Sequence, residues 1–306
     1  MIKEEFYFDS RDGENRIHAV RYTPDDGNVR GIVQIVHGMA EYVERYENLA
    51  EFLTKRGILV TGEDHLGHGK SVSEGGSFGY FCEQDPATVV VRDVHRLKKI
   101  TEEQYPQVPY IILGHSMGSF IARNYLCRYG SGIGGMQPGG LIFASKAMAG
   151  IQKLFCGSKH VSHFMDKAAF GGYNKRIDSP RTSSDWLSRN TENVDRYIED
   201  ELCGFTFTVN GFQTLFELIR RLQKQENLEK VPQNLPILMV SGAEDPVGDY
   251  GKGVHKACDS LKRAGVKNIT VKLYENDRHE LLNEDDAEVA MEDIWQWICK
   301  EIPGIA

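Results

Sequence analysis

Apolar and polar positions along the chain change period in a regular way. Short apolar or alternating runs stand at 31–36, 58–62, 109–114, 140–145, 235–241 and 269–274, most of them bounded by Gly, Pro, Asn or Asp. Runs of this length between turn residues predict β-strands. Stretches at about 43–56, 86–104, 117–129, 249–264 and 284–300 carry apolar residues at helical spacing. Residues 4–9 and 15–22 flank Asp12-Gly13-Glu14 and predict an antiparallel opening pair. Strands alternating with helices predict an α/β fold, a mostly parallel central sheet flanked by helices. In the last helix Ile294, Trp295, Trp297 and Ile298 are expected to pack into the core.

Residues 146–210 break the alternation. They predict an inserted helical cap between a first core half, 1–145, and a second, 211–306. Asp185 is expected to cap a short helix beginning at Trp186, and residues 193–198 to be helical.

Candidate chemistry sits where strand gives way to helix. Gly114-His115-Ser116-Met117-Gly118 follows the apolar run Tyr110–Leu113 and precedes the helical run 117–129. A G-x-S-x-G motif in that setting holds a serine hydroxyl above the sheet on a strained turn. A serine hydroxyl is a weak nucleophile and needs a base oriented by a carboxylate. On this scaffold the acid and then the histidine follow the serine in the chain. Asp245 stands just past the strand ending at Gly242, and Glu244 and Asp249 are the alternative acids. His279 stands on the loop after strand 269–274 and follows both Ser116 and Asp245. His37, His65, His68 and His115 precede the acid or flank the serine. An oxyanion needs backbone N–H donors, expected from Met117, next to the serine, and from Met39, on the loop after strand 31–36. Gly38 gives that loop room to turn, while His37 and Glu41 are expected to shape it by hydrogen bonds.

With these residues placed, the chain resembles the monoacylglycerol lipase and lysophospholipase-like branch of the α/β-hydrolases. The segments that carry the resemblance are His37-Gly38-Met39-Ala40-Glu41, Asp64-His65-Leu66-Gly67-His68-Gly69-Lys70-Ser71, Gly114-His115-Ser116-Met117-Gly118 and the Asp245 and His279 loops. They span nearly the whole chain. The resemblance implies Ser116 as nucleophile, Asp245 and His279 as its partners, Met39 and Met117 as oxyanion donors, and a cap over the site. It implies hydrolysis of single-chain carboxylic esters, with no metal and no cofactor. Met39 stands where members of this branch often carry a smaller residue, and its bulk narrows the acyl pocket. A short-chain or aromatic-acid carboxylesterase, a thioesterase and an aminopeptidase are the rival enzymes on this scaffold. A non-catalytic ligand sensor is the rival from another class.

The cap is aromatic, with Phe155, Phe164, Phe170, Tyr173, Trp186, Phe205, Phe207 and Phe212 in or beside it. Some must pack it onto the core. Phe164, Phe170, Trp186 and Phe205, with Gly38 and His115 from the core, are the candidates to line a substrate pocket. Its charge is divided: residues 146–181 hold seven Lys or Arg and two Asp or Glu, whereas 182–204 hold two and six. The basic half suits a transient contact with a lipid surface or an anionic headgroup, screened by salt.

Composition narrows the classes further. A net charge of −8 argues against nucleic acid as a partner. The six cysteines are scattered without C-x-x-C or His/Cys ligand spacing, so reduced thiols are expected rather than disulfides or zinc. There is no apolar signal region and no apolar run long enough to span a bilayer, and a soluble cytoplasmic protein is expected.

Overall fold

The computed structural model describes residues 1–130, 133, 135–138 and 157–305. Its strands are β1 Ile2–Asp9, β2 Arg16–Thr23, β3 Gly31–Val36, β4 Ile58–Glu63, β5 Tyr110–Gly114, β6 Gly135–Pro138, β7 Ile237–Gly242 and β8 Ile269–Tyr274. They form one sheet in the order β1-β2-β4-β3-β5-β6-β7-β8. β2 runs antiparallel to both β1 and β4, and the other neighbouring pairs are parallel. Every residue of β3, β4, β5 and β7 is buried. A parallel sheet is covered on both faces, which is why β5 and β7 read as near-continuous apolar runs, while β3 and β4 also bury Gln34, Thr61 and Glu63.

The two faces carry different helices. Ile32 and Val36 of β3 join one apolar cluster, Val33 and Ile35 the other, as the two-residue period of a strand requires. The first cluster is closed by α2 (Pro86–Gln104), α3 (Met117–Tyr129), α6 (Val209–Leu222) and α8 (Lys252–Arg263). The second is closed by α1 (Glu47–Thr54) and α9 (Ala287–Glu301), where Ile294, Trp297 and Ile298 are buried. The short helix α7 is Gln225–Leu228.

Some boundaries differ from expectation. The helix expected over 43–56 opens as a 3-10 turn, Val43–Tyr46, whose first N–H, that of Val43, donates to Asp64 Oδ1 at 3.0 Å. Helix α6 was not foreseen. Thr208 Oγ1 accepts the Gly211 N–H to cap it, and a Cβ at Gly211 would overlap Gly79 O. The expected strand 140–145 and the first cap residues, 146–156, lie outside the described residues.

Of the rest of the expected cap, 157–210, residues 157–208 cross the C-terminal ends of the parallel strands and the last two open α6. The crossing segment holds α4 (His163–Phe170), capped by Ser162, and α5 (Thr191–Glu199), capped by Asn190. A bridge between Val161 and Thr208 ties its two ends. Asp185 does not cap a helix at Trp186. Its carboxylate accepts the N–H groups of Arg181 and Thr182 and so closes the loop that precedes it.

Candidate active site

Between β5 and α3 the backbone turns on Ser116, at φ 51° and ψ −119°. A non-glycine residue held there costs on the order of 1–3 kcal/mol and must be held by its surroundings. The flanking glycines supply that hold. A Cβ on Gly114 would come within 2.6 Å of Gly118 O, and one on Gly118 would overlap Val36 O. The elbow can therefore pack directly against the end of β3, where the His115 N–H donates to Val36 O at 3.1 Å. The spacing of the motif is a packing requirement.

Asp245 lies three residues beyond β7 and is 2 % exposed. Its Oδ1 accepts the Val247 N–H at 2.8 Å, and its Oδ2 lies 3.0 Å from His279 Nδ1. Glu244 and Asp249, the other acids of the loop, are exposed. With its Nδ1–H donated in a hydrogen bond to Asp245, His279 keeps Nε2 free to accept a proton. The imidazole packs between Trp186, 5.2 Å away between ring centres, and His115, 4.7 Å away; Trp186 in turn leans on Tyr173.

Ser116 and His279 open onto one cavity of about 340 Å³. Met39 and Met117 line it on the core side, as does His115. Phe170, Trp186, Phe205, Leu215 and Val247 form much of its apolar wall. Two expected lining residues are placed otherwise. Phe164 is 64 % exposed and is not part of the wall, because it stands on the outer side of α4. Gly38 is spent on close approach: its N–H donates to Glu41 Oε1, and a Cβ on it would come within 3.1 Å of the Ser116 Cβ.

Glu41 shapes the loop after β3 by accepting the Gly38 N–H, as expected, but sequence reasoning did not reach the other charges beneath the cavity. Arg45 grips Glu280 with both nitrogens at 2.7 and 2.8 Å and reaches Glu41 at 2.9 Å. Glu41 also accepts from Tyr46 at 2.9 Å and faces His115 Nδ1 at 3.0 Å. Burial works against ionisation of Glu41, but His115 and Arg45 outweigh it and hold the carboxyl well below its ordinary range. For His115 burial is likewise outweighed, by the Glu41 hydrogen bond and charge, and its pKa is raised. Buried charges in this setting persist because they are paired and hydrogen-bonded. The Asn193 side chain of α5 donates to Glu280 at 2.8 Å, bringing the cap into the same network.

The cap is clamped to the histidine loop by a further set of bonds. Glu284 Oε2 accepts Ser188 Oγ and the Arg189 N–H, both at 2.8 Å. Arg189 pairs with Asp277 at 2.5 Å and Asp286 at 2.9 Å. Arg278 donates to the carbonyls of Asp185 and Ser188. These partners are about 90 residues apart in the chain, so no local pattern announces them.

Among the described residues, Glu5, His18 and Glu44 bring metal-ligand atoms within 4.8 Å of one another, on the opening hairpin and the turn before α1. The Lys70 ammonium stands 2.7 Å from Glu5 and 2.9 Å from Glu44, so a lysine supplies the positive charge there. No helix among them is long and apolar enough to cross a membrane.

The sheet order, the strained serine elbow and the helices on both faces define an α/β-hydrolase. The chain belongs to the serine aminopeptidase S33 family, whose sequence profile matches residues 27–286. Rat monoglyceride lipase is 30 % identical over 269 residues, 86 % of this chain and 80 % of the rat protein. The monoacylglycerol lipase of Mycolicibacterium smegmatis is 28 % identical over 282 residues, 92 % of each chain. A thermostable carboxyl esterase from Bacillus coagulans, solved in complex with glycerol, matches the full length of both chains at 30 % identity and a TM-score of 0.91. With these relatives, the chain is a serine hydrolase of carboxylic esters.

Proposed function

We propose that the chain hydrolyses monoacylglycerols and related single-chain esters, with Ser116 as nucleophile, His279 as general base and Asp245 as its orienting acid. The observation that carries this reading is the 3.0 Å contact between His279 Nδ1 and Asp245, with His279 and Ser116 opening onto the same cavity. Ser116 Oγ attacks the ester carbonyl as His279 Nε2 takes its proton. Asp245 stabilises the imidazolium that forms. The N–H groups of Met39 and Met117 receive the oxyanion. His279 then protonates the leaving alcohol, and water releases the acid by the same steps in reverse.

The cavity supports a ligand of this class. Its volume of about 340 Å³ is more than twice the ~150 Å³ that holds a benzene-sized ligand, enough for an acyl chain of medium length beside a small alcohol. The apolar wall suits the chain, and the hydroxyls of Ser183, Ser184 and Tyr197 suit a glycerol headgroup. An aminopeptidase would need a free carboxylate for the substrate amine. Glu41 and Glu280 are instead held by Arg45.

Hydrolysis of p-nitrophenyl esters from acetate to palmitate, and of the matching monoacylglycerols, tests this reading with Ser116→Ala alongside. Turnover that peaks at medium or long chains and vanishes in the variant is expected. Activity confined to acetate and butyrate would make the chain a small-ester hydrolase, and activity on thioesters or amides alone would overturn the reading.

A further inference from the structure

Behind the Met39 loop lies a set of polar side chains that the reaction does not touch. Gln34, His37, Glu63 and His65 are each at most 1 % exposed. His37 Nε2 accepts the main-chain N–H of His65 at 3.0 Å. A ring nitrogen that accepts carries no proton, so the His37 proton is on Nδ1, 2.8 Å from Gly38 O. His65 Nε2 faces His37 O at 3.3 Å, and a carbonyl only accepts, so the His65 proton is on Nε2. His65 Nδ1 is left bare, with Glu63 Oε1 3.7 Å away. Neither atom has a hydrogen-bond partner. The other oxygen of Glu63 accepts from Gln34 Nε2 at 3.2 Å, and Gln34 Oε1 accepts from the Tyr110 hydroxyl at 2.6 Å.

A carboxylate facing a bare imidazole nitrogen would set lone pair against lone pair, deep in the protein, where unpaired polar atoms are costly. A proton on Glu63 Oε1 removes the conflict. The surroundings agree. Burial raises the Glu63 carboxyl well above its ordinary value, and Asp93 of α2 and Asp64 of the next loop add to the rise against the Gln34 hydrogen bond. Burial lowers His65 and His37, and both stay neutral.

We propose that Glu63 is a positioning residue, a neutral carboxylic acid whose proton is turned to His65 Nδ1 and which, through His65 and His37, aims the Met39 N–H at the reaction. The peptide joining Gly38 to Met39 is planar and trans, so its C=O and N–H point opposite ways. Anchoring Gly38 O on His37 therefore turns the Met39 N–H away from the buried chain, to the side of the cavity that Met39 shares with Ser116. Without the Glu63 proton, His65 can take its other tautomer. Its Nε2 lone pair then opposes His37 O, and the anchor slackens. This inference rests on Met39 being an oxyanion donor.

Two substitutions and one spectrum test it. Glu63→Gln puts an amide N–H where the acid has its O–H and should keep kcat within about twofold. Glu63→Leu should lower kcat about tenfold with KM unchanged, because an oxyanion donor acts on the transition state. Imidazole 15N shifts, with His65 assigned by difference against His65→Asn, should show His65 protonated on Nε2 in the wild type and in Glu63→Gln, and mixed in Glu63→Leu. A wild-type His65 protonated on Nδ1 or on both nitrogens would overturn the proposal, even if Glu63→Leu failed to fold. So would a Glu63→Gln enzyme as slow as Glu63→Leu. A His65 tautomer that changes in Glu63→Leu while kcat does not would count instead against Met39 as an oxyanion donor.

Discussion

Glu41 Oε1 lies 3.0 Å from His115 Nδ1, while His115 Nε2 reaches the main-chain oxygen of His279 at 3.3 Å. One imidazole thus joins the loop after β3, the serine elbow and the histidine loop. Both of its nitrogens face acceptors, which favours the doubly protonated ring. Its pKa is raised, so the stabilisation it provides is complete below the ordinary value near 6.5 and is lost as pH rises through the raised value. His115→Gln should therefore flatten the decline of Tm with pH on the alkaline side of about 6.5. Thermal unfolding across that range checks it, and an unchanged slope would mean that another group titrates.

Asp245→Asn should lower kcat by about four orders of magnitude with little change in KM, because an amide facing His279 favours the wrong tautomer. The Val247 N–H bond to the side chain can persist, so the fold should survive. Steady-state kinetics with circular dichroism on the same preparation checks both halves.

Asp93 is buried, where it accepts from Ser10 Oγ at 2.8 Å and the Arg11 N–H at 2.6 Å. Burial outweighs those bonds and pushes its pKa up to about 7. The folded protein therefore holds the proton more tightly than the unfolded chain, and stability falls as pH rises from about 4 to about 7. Asp93→Asn should remove that slope and raise Tm by about 2–4 °C at pH 8, with little effect at pH 4.

Phe164 and Val161 are 64 % and 41 % exposed at the start of α4, on the flank of the cap. Phe164→Ser should leave turnover of a soluble acetate ester unchanged and lower turnover of vesicle-borne monoacylglycerol several-fold. Parallel assays on the two substrates check this, and equal losses on both would place Phe164 in packing instead.

Elements made of a single run of one period were legible in the sequence. Strands β3, β5 and β7 and helix α3 lie where periodicity predicts them, because burial on both faces writes a near-continuous apolar run and a core helix keeps its spacing. The elbow was legible because its glycines answer to contacts within five residues and to one neighbouring strand. Helix α6 carries Val209, Phe212, Leu215, Phe216, Ile219 and Leu222 at helical spacing and was legible too, but the expected cap boundary at 210 cut across its first turn. The Arg45–Glu280 pairing was illegible for a different reason. Arg45 and Glu280 are 235 residues apart, and only the folded sheet brings them together. The position of Phe164 also depended on the fold: an aromatic at helical spacing reads the same whether its face is turned to the core or to solvent.

The most direct test of the account is the site of covalent capture. The enzyme is treated with a fluorophosphonate, digested and analysed by mass spectrometry, with Ser116→Ala and His279→Ala in parallel. The account predicts one adduct, on the peptide that carries Ser116, formed in step with loss of ester turnover, absent in Ser116→Ala and much slower in His279→Ala. An adduct on another serine, or ester turnover that persists in Ser116→Ala, would contradict it.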